Sequence, residues 1–108
     1  AIHRLLDDVP MYVDDYPSRE VMKQLGMSDR RRLCGLYTGI PLSERSVQHS
    51  GTLSDVVRIF REGITEMARD ATGQVAPDEL RRQIRITILH ELGHHHGLGE
   101  AELERLGY

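Results

Sequence analysis

Two histidines one helical turn apart, His90 and His94, are the residues of this sequence best suited to chemistry. On an α-helix they are separated by about 40° around the axis and about 6 Å along it, so both imidazoles can reach one cation. Glu91 lies about 100° further round, where its carboxylate can contact a water molecule beside that cation without binding the cation. This H-E-x-x-H spacing is typical of zinc hydrolases.

A catalytic zinc ion needs three protein ligands and one open position. Cys34 is the only cysteine in the sequence, so no cysteine-based zinc site can be built within the chain. A glycine at position 97 can adopt the left-handed conformation and turn the chain back toward the helix, which would bring Glu100 to the metal. The alternative is that Glu100 is an exposed glutamate favoured by the dipole at a helix N-terminus.

A long helix is needed to carry the motif. Pro77 is expected to begin it, at a position where the missing N–H costs nothing, and the helix is expected to continue to His96. Apolar residues recur along it at helical spacing and predict a face packed on a core. These residues are Leu80, Ile84, Ile88 and Leu92.

Short strands and helices are predicted around this helix. Apolar and β-prone runs predict strands at 11–16, 33–40 and 56–61, and glycines within the second indicate a bulge or the close approach of another chain. Ser18 as N-cap and Gly26 as stop predict a helix between them. Further helical segments are expected at 64–68 and 101–106, the end of a helix within 1–10, and a polar loop at 41–52.

The composition is that of one soluble globular domain spanning residues 1–108. Hydrophobic residues make up 39% and charged residues 29% of the 108 residues, and the formal net charge is −3. Such a chain has no global attraction for nucleic acid or an anionic membrane, so neither is expected as a partner. No apolar run approaches the roughly 20 residues of a membrane helix, and a reducing cytoplasm is the expected location.

Several segments of the sequence resemble one family in order. They are L-Y-T-G-I-P-L at 36–42, V-R-I-F-R at 57–61, I-R-I-T-I-L-H-E-L-G-H-H at 84–95 and E-R-L-G-Y at 104–108. The sequence from Met11 onward is similar to the small bacterial zincin-like metallopeptidases. This resemblance implies a minimal zincin-like α+β domain, in which a small mixed β-sheet packs on the H-E-x-x-H helix.

The motif and the resemblance together predict a zinc-dependent metallopeptidase. His90, His94 and Glu100 are the expected zinc ligands, and no further cofactor is expected. Glu91 is the expected general base, which takes the proton of a zinc-activated water as it attacks a peptide bond. The expected partner is a peptide or protein, extended beside an edge strand at 33–40 or 56–61.

Two other functions remain open. The first is a metal-dependent endoribonuclease of the rRNA-maturation type, whose spacing H-x-x-x-H-x-x-G-x-x-H is similar but lacks the glutamate. Arginines at 30–32 and at 81, 82 and 85 could then form a local phosphate patch. The second is a zinc-stabilised binding or regulatory module without turnover.

The other histidines have simpler explanations. His95 projects about 140° round the helix from His90, so it is expected to pack or to support the site rather than bind the metal. His96 is expected to face solvent or shield the site. The run G-T-L-S-D at 51–55 copies a signature in which the aspartate is a zinc ligand, but here it precedes the zinc helix. We therefore predict that Asp55 is not a ligand.

Overall fold

A computed structural model describes residues 9–39 and 55–108. The described elements are three strands, one 3₁₀ turn and four α-helices. In chain order they are β1 (Met11–Asp14), α1 (Arg19–Leu25), the 3₁₀ turn (Arg30–Arg32), β2 (Gly35–Thr38), β3 (Val56–Phe60), α2 (Arg61–Ala68), α3 (Pro77–His95) and α4 (Glu100–Arg105). This is the α+β fold that the sequence predicts. The expected N-terminal helix end and the polar loop at 41–52 lie outside the described residues.

The three strands form one small mixed sheet in the order β1-β3-β2. β1 runs parallel to β3, whereas β2 runs antiparallel to it, with Tyr37 opposite Val57. Since β3 is central and Val57 has no exposed surface, the prediction that 56–61 could serve as an edge strand is wrong. β2 is the edge strand beside the long helix in the described part of the chain.

β3 is shorter than predicted because its end turns directly into a helix. β3 stops at Phe60, and Arg61 already begins α2, which is longer than the single helical turn expected at 64–68. The predicted helix after residue 18 is confirmed as α1. Its N-cap Ser18 accepts a hydrogen bond from the backbone N–H of Val21 at 3.2 Å, and Gly26 ends it in the left-handed conformation.

The long helix α3 packs across β2 and β3 through its second half. Its 19 residues span about 28 Å, whereas the longest strand has five residues and covers about 17 Å. The sheet therefore covers only part of the predicted apolar face, and Ile84 keeps 37% of its surface exposed. The core that forms beneath the covered part consists of Val9, Val57, Ile59, Ile64 and Leu92.

β2 approaches α3 closely at Gly35. A methyl group built on Gly35 would lie 2.7 Å from Cγ2 of Thr87 and 3.0 Å from Cγ of Glu91. Only glycine leaves room for such a close approach, as the sequence indicated, and the approaching helix belongs to the same chain. The result is that the backbone of β2 lies directly beside the H-E-x-x-H segment.

A tight turn follows α3 and returns the chain to it. Gly97 has a φ of +85°, the left-handed conformation that the sequence predicts there. The N–H of Leu98 donates to the carbonyl oxygen of Gly93 at 2.9 Å, and Leu103, fully buried, packs back on α3 at Gly93. α4 consequently begins at Glu100, next to the histidines of α3. None of the described helices combines the length and apolar character needed to cross a bilayer.

Candidate metal centre

Three side chains converge at the end of α3. Nε2 of His90 and Nε2 of His94 lie 3.2 Å apart. Oε1 of Glu100 lies 3.1 Å from the first nitrogen and 2.7 Å from the second. These are the three residues that the sequence singles out as metal ligands, and they are the one group of potential metal-binding side chains found among the described residues.

The outer nitrogens of both imidazoles are held by backbone carbonyls. Nδ1 of His90 lies 3.2 Å from the carbonyl oxygen of Tyr108, and Nδ1 of His94 lies 3.0 Å from that of Leu98. A carbonyl oxygen can only accept a hydrogen bond, so each Nδ1 must carry the proton and donate it. In a ring that carries only this proton, Nε2 presents its lone pair toward the other imidazole and toward Glu100.

This arrangement requires a positive charge at its centre. Two nitrogen lone pairs and a carboxylate oxygen within 3.2 Å of one another repel unless a proton or a metal ion lies among them. Zinc binds imidazole nitrogen and carboxylate oxygen at about 2.0–2.2 Å, which places tetrahedral ligands about 3.3 Å apart. The three atoms need to separate by only a few tenths of an ångström, so the residues fit a divalent ion of this kind.

A hydrogen bond from the second ring nitrogen is usual for metal-binding histidines, because it fixes the tautomer and the ring orientation. Here the acceptors are backbone carbonyl oxygens of the segment after the Gly97 turn. The sequence predicts the ligands but not these partners, since any residue provides a carbonyl oxygen.

Glu91 lies beside this group and is anchored by one of its two oxygens. Its Oε1 accepts a hydrogen bond from the backbone N–H of Tyr37 in β2 at 2.8 Å. Its Oε2 lies 4.0 Å from Nε2 of His90. The carboxylate therefore faces the converging ligand atoms without joining them, as expected for a base that acts on a neighbouring water molecule.

The surroundings raise the pKa of two groups of the site, Glu91 and His90, and lower that of Glu100. Burial raises the pKa of Glu91 above its ordinary value, although the two nearby histidines and the β2 amide act against the rise. Burial acts to lower the pKa of His90, but the hydrogen bond to Tyr108 and the two carboxylates together raise it. For Glu100, burial acts to raise the pKa, and the hydrogen bonds with His90 and His94 outweigh it and lower the pKa.

A second polar cluster lies behind the first and was not expected from the sequence. Nδ1 of His95 lies 2.9 Å from Oδ2 of Asp55, and both side chains are almost completely buried. The hydroxyl of Tyr37 donates to Oδ1 of Asp55 at 3.3 Å, and the Tyr37 ring meets the His95 ring edge to face. His95 is thus a packed histidine, as predicted, but its partner is an aspartate 40 positions earlier in the sequence.

The arginines proposed for a phosphate patch are largely engaged by acidic neighbours. Arg30 pairs with Glu62 and Arg31 with Asp29 in the 3₁₀ region. On α3, Arg81 pairs with Asp78 and Arg82 with Glu79. These exposed pairs leave less free positive charge than the sequence suggests.

Comparison with known proteins yields a family match. The model of a family described as zincin-like metallopeptidase matches residues 6–108. The match includes β1 to β3, the H-E-x-x-H helix and the Glu100 helix. No curated protein matches the chain at a significant level.

Proposed function

The chain belongs to the zincin-like metallopeptidase family, and we propose from this premise that it is a zinc-dependent peptidase with Glu91 as general base. The observation that carries the proposal is the convergence of three lone-pair donors, two of them with their outer nitrogens fixed by backbone carbonyls. A glutamate exposed at a helix N-terminus for its dipole alone would not be expected to contact two imidazoles.

His90, His94 and Glu100 would hold the zinc ion. When bound, the ion supplies a Lewis acid that lowers the pKa of water and polarises a peptide carbonyl. Glu100 is largely exposed, with 73% of its side chain accessible, whereas the imidazoles are about three-quarters covered. A fourth position on the exposed side would remain open to water and substrate.

Glu91 would take the proton from the attacking water and later deliver it to the leaving amine. Its location supports this role, because Oε1 is fixed by the Tyr37 amide while Oε2 faces the ligand group. Burial, which raises the pKa of this carboxyl group, also makes it a stronger base than an exposed glutamate. Glu91 is thus held in place both by its own helix, α3, and by the strand β2.

The substrate is proposed to be a peptide extended along the outer edge of β2. The N–H of Phe60 donates to the carbonyl oxygen of Cys34, so hydrogen-bonded positions alternate from residue 34 onward. Positions 35 and 37 consequently direct their backbone groups away from β3. Because the N–H of Tyr37 already donates to Glu91, the peptide is proposed to use the backbone groups of Gly35. Backbone hydrogen bonds at such an edge bind an extended peptide independently of its side chains.

The experiment compares the zinc-loaded protein with its Glu91→Gln variant on a mixed peptide library, with products read by mass spectrometry. We expect zinc-dependent cleavage by the wild type. We expect the variant to keep its zinc and to lose cleavage by about 10²–10⁴-fold, the usual contribution of a general base. Glu104→Gln, an exposed glutamate on α4, is the matched control and should retain the full rate.

The alternatives give different results in the same samples. An unchanged rate in Glu91→Gln would contradict the proposed mechanism. Zinc binding with a large thermal stabilisation but no cleavage of any peptide would favour a zinc-stabilised binding module. Salt-sensitive binding and cleavage of RNA would favour the endoribonuclease.

A further inference from the structure

The buried cluster of Asp55, His95 and Tyr37 lies between the edge strand and the end of the metal-binding helix. Asp55 lies directly before β3, Tyr37 lies on β2, and His95 is the last residue of α3. The side chains of Asp55 and His95 are 6% and 4% exposed. Burying two ionisable groups is costly, and such groups are retained where their pairing fixes a particular arrangement.

Contacts within the cluster lead from α3 to the strand that anchors the general base. Nδ1 of His95 lies 2.9 Å from Oδ2 of Asp55. The other oxygen of Asp55 accepts a hydrogen bond from the Tyr37 hydroxyl at 3.3 Å. The backbone N–H of the same tyrosine donates to Oε1 of Glu91 at 2.8 Å.

From these contacts we infer that Asp55 and His95 are positioning residues, which tie Tyr37 to α3 and thereby hold the carboxylate of Glu91 in its orientation. None of the contacts described above joins Asp55 or His95 to the ligand group of His90, His94 and Glu100. Their effect on catalysis rests on the proposed peptidase function, but their effect on the strand does not.

The packing of β2 on α3 makes this tie effective. Gly35, two positions before Tyr37, lies within contact distance of the Glu91 side chain. A strand that sits so close transmits a small shift at Tyr37 directly to the carboxylate. A misplacement of about 1 Å in a catalytic group can cost about a hundredfold in rate.

Hydrogen exchange of the Tyr37 amide tests the inference without metal or substrate. This N–H points away from β3, so its protection reports the hydrogen bond to Glu91 rather than the sheet ladder. In the metal-free protein we expect Asp55→Asn and His95→Gln to speed exchange at Tyr37 about five- to tenfold, the equivalent of one lost hydrogen bond. The amide of Arg58 in the central strand should change less than twofold.

One further test variant and two controls complete the experiment. Tyr37→Phe removes only the hydroxyl and is a milder version of the same change, so it keeps the test decisive if a buried substitution prevents folding. Asp15→Asn removes the carboxylate from an exposed ion pair with Arg61, and His96→Gln alters an exposed histidine next to His95. Neither of the last two should change exchange at position 37.

In the zinc-loaded protein, the same positioning variants are expected to lower kcat about tenfold or more with little change in KM or zinc content. Unchanged exchange at position 37 in Asp55→Asn, His95→Gln and Tyr37→Phe would overturn the inference. If exchange rises while the wild type cleaves no peptide, the positioning role stands and the peptidase proposal fails. If exchange rises and kcat does not fall, the role in catalysis is refuted.

Discussion

The close approach of β2 to α3 at Gly35 can be tested by adding a single methyl group. In Gly35→Ala, the new Cβ would lie 2.7 Å from Cγ2 of Thr87, 3.0 Å from Cγ of Glu91 and 3.3 Å from the carbonyl oxygen of Arg58. Overpacking of this kind costs about 1–3 kcal/mol. The loss of chain entropy in the unfolded state returns only about 0.4–1 kcal/mol. We therefore expect a net loss of about 1–2 kcal/mol in the free energy of unfolding.

The neighbouring threonine provides a rescue that identifies the cause. Thr87→Ser removes the Cγ2 methyl that collides with the new Cβ and keeps a hydroxyl able to donate to the carbonyl oxygen of Gln83, as Oγ1 does now at 2.8 Å. Alone, this change should cost about 1 kcal/mol, as for a deleted buried methyl group. In the double variant, Thr87→Ser should recover at least about 1 kcal/mol of the free energy of unfolding that Gly35→Ala loses. The effects of the two changes on stability are therefore strongly non-additive.

The assay is urea unfolding of the metal-free protein and its three variants, followed by circular dichroism. A stability of Gly35→Ala equal to that of the wild type would mean that β2 does not lie on α3 as described. Simple additivity of the two changes would mean that the loss arises elsewhere than at the Thr87 methyl. Either result would also weaken the proposed route from β2 to Glu91.

Three other predictions concern separate parts of the chain. Glu100→Ala should lower zinc affinity, measured by chelator competition, by more than the about 10–100-fold lost when a residue that only orients a ligand is replaced. Glu104→Ala should leave the affinity unchanged, and equal affinities of the two variants would exclude Glu100 as a ligand. Burial, together with the nearby Glu91 carboxylate, raises the pKa of the Cys34 thiol, so its reaction with a disulfide reagent at pH 7.5 should be much slower in the folded protein than in urea; equal rates would contradict this. The pKa of Asp70 lies below 3.8, because its carboxylate accepts hydrogen bonds from the Thr72 hydroxyl and from the backbone N–H groups of Gln74 and Thr72. The stabilisation by this turn is therefore complete above that pH and is lost as pH falls through the lowered value. An NMR titration midpoint at or above that of an unfolded peptide would contradict the last prediction.

Local signals in the sequence predict much of this fold. Ser18 and Gly26 mark both ends of α1, and Pro77 marks the start of α3, because caps and breakers act on their own backbone. The turn at Gly97 and the return of Glu100 follow from one glycine with positive φ after a helix. The candidate ligand group is predictable for the same reason, since its three residues lie within 11 positions of the chain.

Features that depend on distant pairing were not predictable. The order of the strands decides which of them is an edge, and neither the apolar run at 56–61 nor the one at 33–40 contains that information. The hydrogen bond between Tyr37 and Glu91 joins residues 54 positions apart. The partnership of Asp55 and His95 was missed because an aspartate before a strand looks like any loop residue, although the burial expected for His95 implied that a polar partner must exist.

The turn at Gly97 has a thermodynamic consequence for the last part of the described chain. The segment that follows it provides Glu100 and the two carbonyl oxygens that hold the imidazoles, and it is secured by the buried Leu103. If His90, His94 and Glu100 bind an ion as proposed, its capture and the docking of this segment on α3 are one coupled equilibrium, in which each favours the other by the same factor. A substitution such as Leu103→Ala, which touches no ligand, must weaken ion capture to the extent that it loosens the docked segment.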